Sequence, residues 1–90
     1  MDNQFRSRLN YPDPFSPSGI EFVLPDDAIV TITIFDNKGQ QVKTLITKKE
    51  YSAGHNTIPF DQEGFIKNDY FYRITATIRN KEYTETKRLL

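Results

Sequence analysis

The chain carries one histidine, His55, and no cysteine. A nucleophile paired with a base, or a thiolate metal site, therefore has little to draw on. A fold that brought Asp61 or Glu63 to His55 would supply one carboxylate, but a histidine among Ser52, Gly54 and Asn56 reads as a surface-loop residue. Asp26 and Asp27 could open a calcium loop, yet the alternating Asp/Asn ligands and the distal glutamate of such a loop do not follow, and turn chemistry accounts for the pair better. In Asp36-Asn37-Lys38-Gly39 two side-chain oxygens are offered to a cation and one ammonium is set against it. Ser16, Ser18 and Ser52 have no base placed by any motif, and no glycine-rich strand-to-helix turn exists for phosphate. The expectation is a protein that is not an enzyme, with no cofactor and no metal.

Recognition chemistry is better represented. Tyr51, Tyr70, Phe71 and Tyr72 with Arg73 and Arg79 could form a stacking platform for bases or sugars. The ending Lys87-Arg88-Leu89-Leu90 sets two cations before two leucines. It reads either as an ordinary closing strand with Leu89 buried, or as a terminal signal that a partner reads by edge pairing. Twelve Lys and Arg balance twelve Asp and Glu, so a nucleic-acid footprint is not expected. No apolar run is long enough to cross a bilayer.

The elements that must position these residues follow from periodicity. Residues 69–79, DYFYRITATIR, alternate with a period of two: Tyr70, Tyr72, Ile74, Ala76 and Ile78 on one face, Phe71, Arg73, Thr75, Thr77 and Arg79 on the other. We take this as a central strand, which puts Tyr70 and Tyr72 in the core and leaves Phe71 alone between arginines on the outside. Residues 20–24 alternate Ile20, Phe22 and Leu24 against Glu21 and Val23, and stop at the turn Pro25-Asp26-Asp27. Residues 28–35 send Val30, Ile32 and Ile34 inward, turn at Asp36 to Gly39, and return over 42–47 as a hairpin.

Residues 48–56 are expected as a loop, 57–61 as a short strand that Pro59 confines to an edge or bulge, and 62–68 as a loop folding Phe65 and Ile66 back onto the body. A turn at Asn80-Lys81 and a closing strand over 82–90 complete the chain. Residues 1–19, with Pro12, Pro14 and Pro17, are expected as turn chemistry without helix or strand: a stiff arm that lays Tyr11 and Phe15 over the domain formed by 20–90. Ninety residues allow one domain, and six or seven short strands without helical period make it an all-β antiparallel sandwich.

The run Asn10-Tyr11-Pro12-Asp13-Pro14-Phe15-Ser16-Pro17-Ser18 resembles the N-Y-P-N-P-F-N-P-S opening of the type A C-terminal sorting domains of the type IX secretion system of Bacteroidetes. These are similar to the immunoglobulin-like domain of the flagellar hook-capping protein. Leu24-Pro25, Asp36 and Gly39 in the D-x-x-G places, Leu45, Ala53-Gly54-His55 in the A-G-x place, Tyr70-Phe71-Tyr72-Arg73 for Y-F-Y-R and the cationic-aliphatic ending continue the likeness over roughly residues 9–90. Phe60-Asp61-Gln62 departs from the usual W-D-G, and Asn68-Asp69 from the usual small residue and glycine.

The resemblance implies an immunoglobulin-like β-sandwich. It implies a non-enzymatic domain at the C-terminus of a cargo, recognised by the outer-membrane translocon and in many cases removed by a sortase that attaches the cargo to surface lipopolysaccharide. Lys87, Arg88, Leu89 and Leu90 would meet the partner; Asn10, Tyr11, Pro12, Pro14, Phe15, Asp36, Gly39, Tyr70 and Tyr72 would hold the framework. As part of a longer precursor the domain is expected in the periplasm on its way to the cell surface or medium. No signal-peptide pattern follows Met1; a native ninety-residue protein is expected instead to be a small structural or assembly module, cytoplasmic or of unknown location, docking on a larger complex by a sheet edge or its aromatic arm. A weaker alternative is carbohydrate binding through exposed aromatics.

Overall fold

The structure, a computed structural model, describes residues 5–10, 18–60 and 70–88. These form seven strands and no helix: β1 (Arg6–Asn10), β2 (Gly19–Leu24), β3 (Ala28–Asp36), β4 (Gln41–Tyr51), β5 (Gly54–Pro59), β6 (Tyr70–Ile78) and β7 (Lys81–Arg88). One sheet has the order β1-β2-β5, the other β4-β3-β6-β7, and every neighbouring pair is antiparallel. The protein is a small β-sandwich.

The alternation read from the sequence is the packing of the core. Val30, Ile32 and Ile34 of β3 meet Tyr72, Ile74 and Ala76 of β6, and all six are fully buried. Ile20, Phe22 and Leu24 of β2 close on them from the smaller sheet, with Ile58 and Phe60 beside them. Each large side chain removed from water in this way contributes about 1.5–3 kcal/mol. Phe22 and Tyr51 meet edge to face across the sandwich, ring centroids 5.4 Å apart. Pro59 lies in β5, an edge strand as its missing N–H requires.

The arm is not all turn. Residues 6–10 pair with β2 from Arg6↔Val23 to Asn10↔Gly19. Phe5, Ser7 and Leu9 take the inward positions while Arg6 and Arg8 point out, a pattern hidden in the sequence because its middle inward residue is a serine. Ser18 then donates from its backbone N–H to the Asn10 carbonyl at 2.7 Å, and its own carbonyl accepts from the Phe60 N–H at 2.9 Å. Tyr11, Pro12, Pro14 and Phe15, and the expected loop over 62–68, lie outside the described residues.

The loop expected over 48–56 is also mostly strand. β4 runs on to Tyr51, β5 begins at Gly54, and only Ser52 and Ala53 separate them. Lys48 takes a positive φ of 45°, and the ladder to β3 shifts register between Val30 and Ile32. A bulge therefore lets a polar edge strand continue where alternation in the sequence stops. Gly54, at φ 104°, opens the next strand in a conformation that side-chain-bearing residues rarely adopt.

Candidate functional site

The site grows from the hairpin of β6 and β7. Its two-residue turn is Arg79-Asn80, one position earlier than expected, with φ of 53° and 67°; positive φ at both central positions is the type I′ turn that matches strand twist. This turn fixes the register Tyr72↔Lys87 and Phe71↔Arg88. Because opposed residues share a face, the two terminal cations part company: Lys87 goes to the inner face with Tyr72, and Arg88 to the outer face with Phe71.

On the inner face a polar seam closes the sandwich between β7 and β1. The Ser7 hydroxyl donates to the Glu85 carboxylate, and Ser7 Oγ lies 3.2 Å from the Tyr72 hydroxyl. A serine has one hydroxyl proton, so Tyr72 is the donor in the second contact. Lys87 Nζ donates to the Ser7 carbonyl oxygen at 2.5 Å and lies 3.9 Å from Glu85 Oε2. Tyr72 is fully buried and Ser7 nearly so, and a hydroxyl left unpaired at that depth costs about 1–3 kcal/mol.

Beside the seam a groove of about 550 Å³ opens, with Arg6, Glu21, Val23 and His55 on its wall. Glu21 alternates with the core residues of β2, yet it is almost wholly covered, flanked by Arg8 and His55. Arg8 Nε donates to Glu21 Oε1 at 2.9 Å, and His55 Nε2 is 3.4 Å from the same oxygen. His55 is thus a strand residue whose carboxylate neighbour is Glu21 of β2. Asp61 and Glu63, named as its candidate partners, lie outside the described residues.

On the outer face the guanidinium of Arg73 stands 4.6 Å over the Phe35 ring, and Phe35 opposes Phe71 across β3 and β6. These rings, with Asp36, Gly39 and Thr86, line a hollow of about 240 Å³. The hairpin that walls it holds itself: Asp36 Oδ1 accepts from the backbone N–H of Lys38 and of Gln40, both at 2.9 Å, and Gly39 has φ 84°. Asp36 is therefore an internal brace of the turn.

The stacking platform does not assemble, as the core assignment of Tyr72 requires. Tyr72 is in the core, Tyr51 packs on Phe22, and Arg79 sits in the turn, paired with Asp26 at 2.7 Å. Asp27 Oδ1 accepts from the Ala53 N–H at 2.9 Å, so both turn aspartates have structural duties. Among the described residues no three His, Cys, Asp or Glu side chains come together to hold a metal ion, and no helix is long and apolar enough to cross a membrane. Leu89 and Leu90 lie outside the described residues. Sequence reasoning missed Ser7, Glu85 and Phe35; Phe5 and Leu9 flanking Ser7 at a spacing of two were the one available signal.

No protein-family model, curated protein or solved structure matches the chain.

Proposed function

We propose that this sandwich is a C-terminal sorting domain, a non-enzymatic module that directs a cargo through the outer-membrane type IX translocon to the cell surface. The observation that carries this reading is convergence. The Y-F-Y-R strand at Tyr70 to Arg73 and the cationic ending at Lys87 and Arg88 share the β6–β7 hairpin, and the D-x-x-G hairpin at Asp36 and Gly39, far from them in sequence, is brought beside them because β3 neighbours β6 in the same sheet. The opening motif supports it as well, because Asn10 ends β1 and faces Gly19 at the start of β2.

On this reading the two terminal cations do different work. Lys87 ties the last strand to the first through the Ser7 carbonyl, while Arg88 lies on the outward side, where a partner approaching the end of the strand meets it. The test is a fusion of residues 1–90 behind a periplasm-directed reporter in a type IX-competent host: surface display supports the reading, and retention in the periplasm opposes it.

A further inference from the structure

The hollow at Phe35, Phe71 and Arg73 lies on the outer face of the larger sheet, away from the core between the sheets. Arg73 is exposed and stacked on Phe35. Stacking leaves the N–H edges of a guanidinium pointing outward in a fixed plane, which suits a carboxylate. Among the described residues no carboxylate pairs with it. The nearby Asp36 spends Oδ1 on two backbone N–H groups of its own turn, while the exposed Lys38 of that turn, between the lining residues Asn37 and Gly39, adds a further positive charge.

We propose that this hollow docks an acidic peptide segment of a protein partner, with a carboxylate on Arg73 and an adjoining apolar side chain on the floor formed by Phe35 and Phe71. The inference deepens the sorting reading by naming the chemistry of the partner. Two features favour this ligand. A bare phosphate gains nothing from a floor of phenyl rings, since its hydration is lost without apolar contact in return. A neutral sugar needs acceptors as well as donors, and Oδ1 of the carboxylate that borders the hollow is engaged in its turn. An acidic-apolar peptide uses both the ring floor and the guanidinium.

The test is titration of the isotopically labelled 90-residue chain with a capped pentapeptide alternating leucine and glutamate, and with its leucine-lysine counterpart. The proposal predicts saturable amide shifts at Phe71, Arg73 and Thr86 with the acidic peptide alone. Arg73→Gln, a surface change that leaves the remaining spectrum in place, should weaken binding about tenfold, the worth of one charge-assisted contact. Absence of saturable shifts at these positions overturns it, as does equal binding of both peptides or indifference to Arg73→Gln. Tighter binding of inorganic phosphate or polygalacturonate at the same amides overturns the protein partner. A failed titration with the reporter still displayed removes this site and leaves the sorting reading; saturation with the reporter retained does the reverse.

Discussion

Lys87 Nζ donates to the Ser7 carbonyl oxygen at 2.5 Å, joining residues 80 positions apart. The last described strand is thereby locked to the first, which shares no sheet with it. Lys87→Ala removes this charged donor and should lower stability by about 1 kcal/mol, below the roughly 1.5–3 kcal/mol of a hydrogen bond to a charged group because the side chain is 42% exposed. Arg88→Ala, on the outer face, leaves this lock in place and should cost less than Lys87→Ala. Urea midpoints of the two variants measure the difference.

Ser7→Ala tests the seam from the other side. It leaves the buried Tyr72 hydroxyl and the Glu85 carboxylate without the hydroxyl that joins them, so a loss of about 1–3 kcal/mol is expected. Tyr72→Phe removes only one of these contacts and should cost about 1 kcal/mol. Denaturant midpoints measure both, and an unchanged midpoint in Ser7→Ala would contradict the seam.

Tyr72→Ala should cost about 3–5 kcal/mol, since it empties a fully buried aromatic site. Thermal unfolding by circular dichroism would register this as the largest loss among these variants.

Gly54→Ala places a Cβ at φ 104°, although nothing lies within 4 Å of it. The cost is therefore backbone strain alone, about 1–3 kcal/mol. An unchanged urea midpoint would show that the strand start relaxes to another conformation.

Much of this fold was legible because its central strands are amphipathic with a strict period of two. Val30, Ile32 and Ile34, and Tyr72, Ile74 and Ala76, could be placed inward from the sequence, and all are buried. β1 was missed for a specific reason: its inward position holds Ser7, which is buried through hydrogen bonds to side chains 65 and 78 residues away. The far half of β4 was missed because its residues from Lys48 to Glu50 are polar and exposed, and a bulge at Lys48 breaks the alternation. Of the site, Lys87 and Arg88 were identified as a pair. Their division between two faces depends on the register of β7 on β6, which the turn at Arg79-Asn80 sets. Phe35 drew no notice beside Phe71, because only cross-strand pairing makes them neighbours.

The most direct measurement for the sorting reading is the surface-exposed fraction of a periplasm-directed reporter carrying residues 1–90, read by protease accessibility of intact cells in a type IX-competent host. The account predicts display of the parent fusion, and a marked fall on Arg88→Ala without loss of domain stability. A folded fusion that stays protected in the periplasm contradicts it.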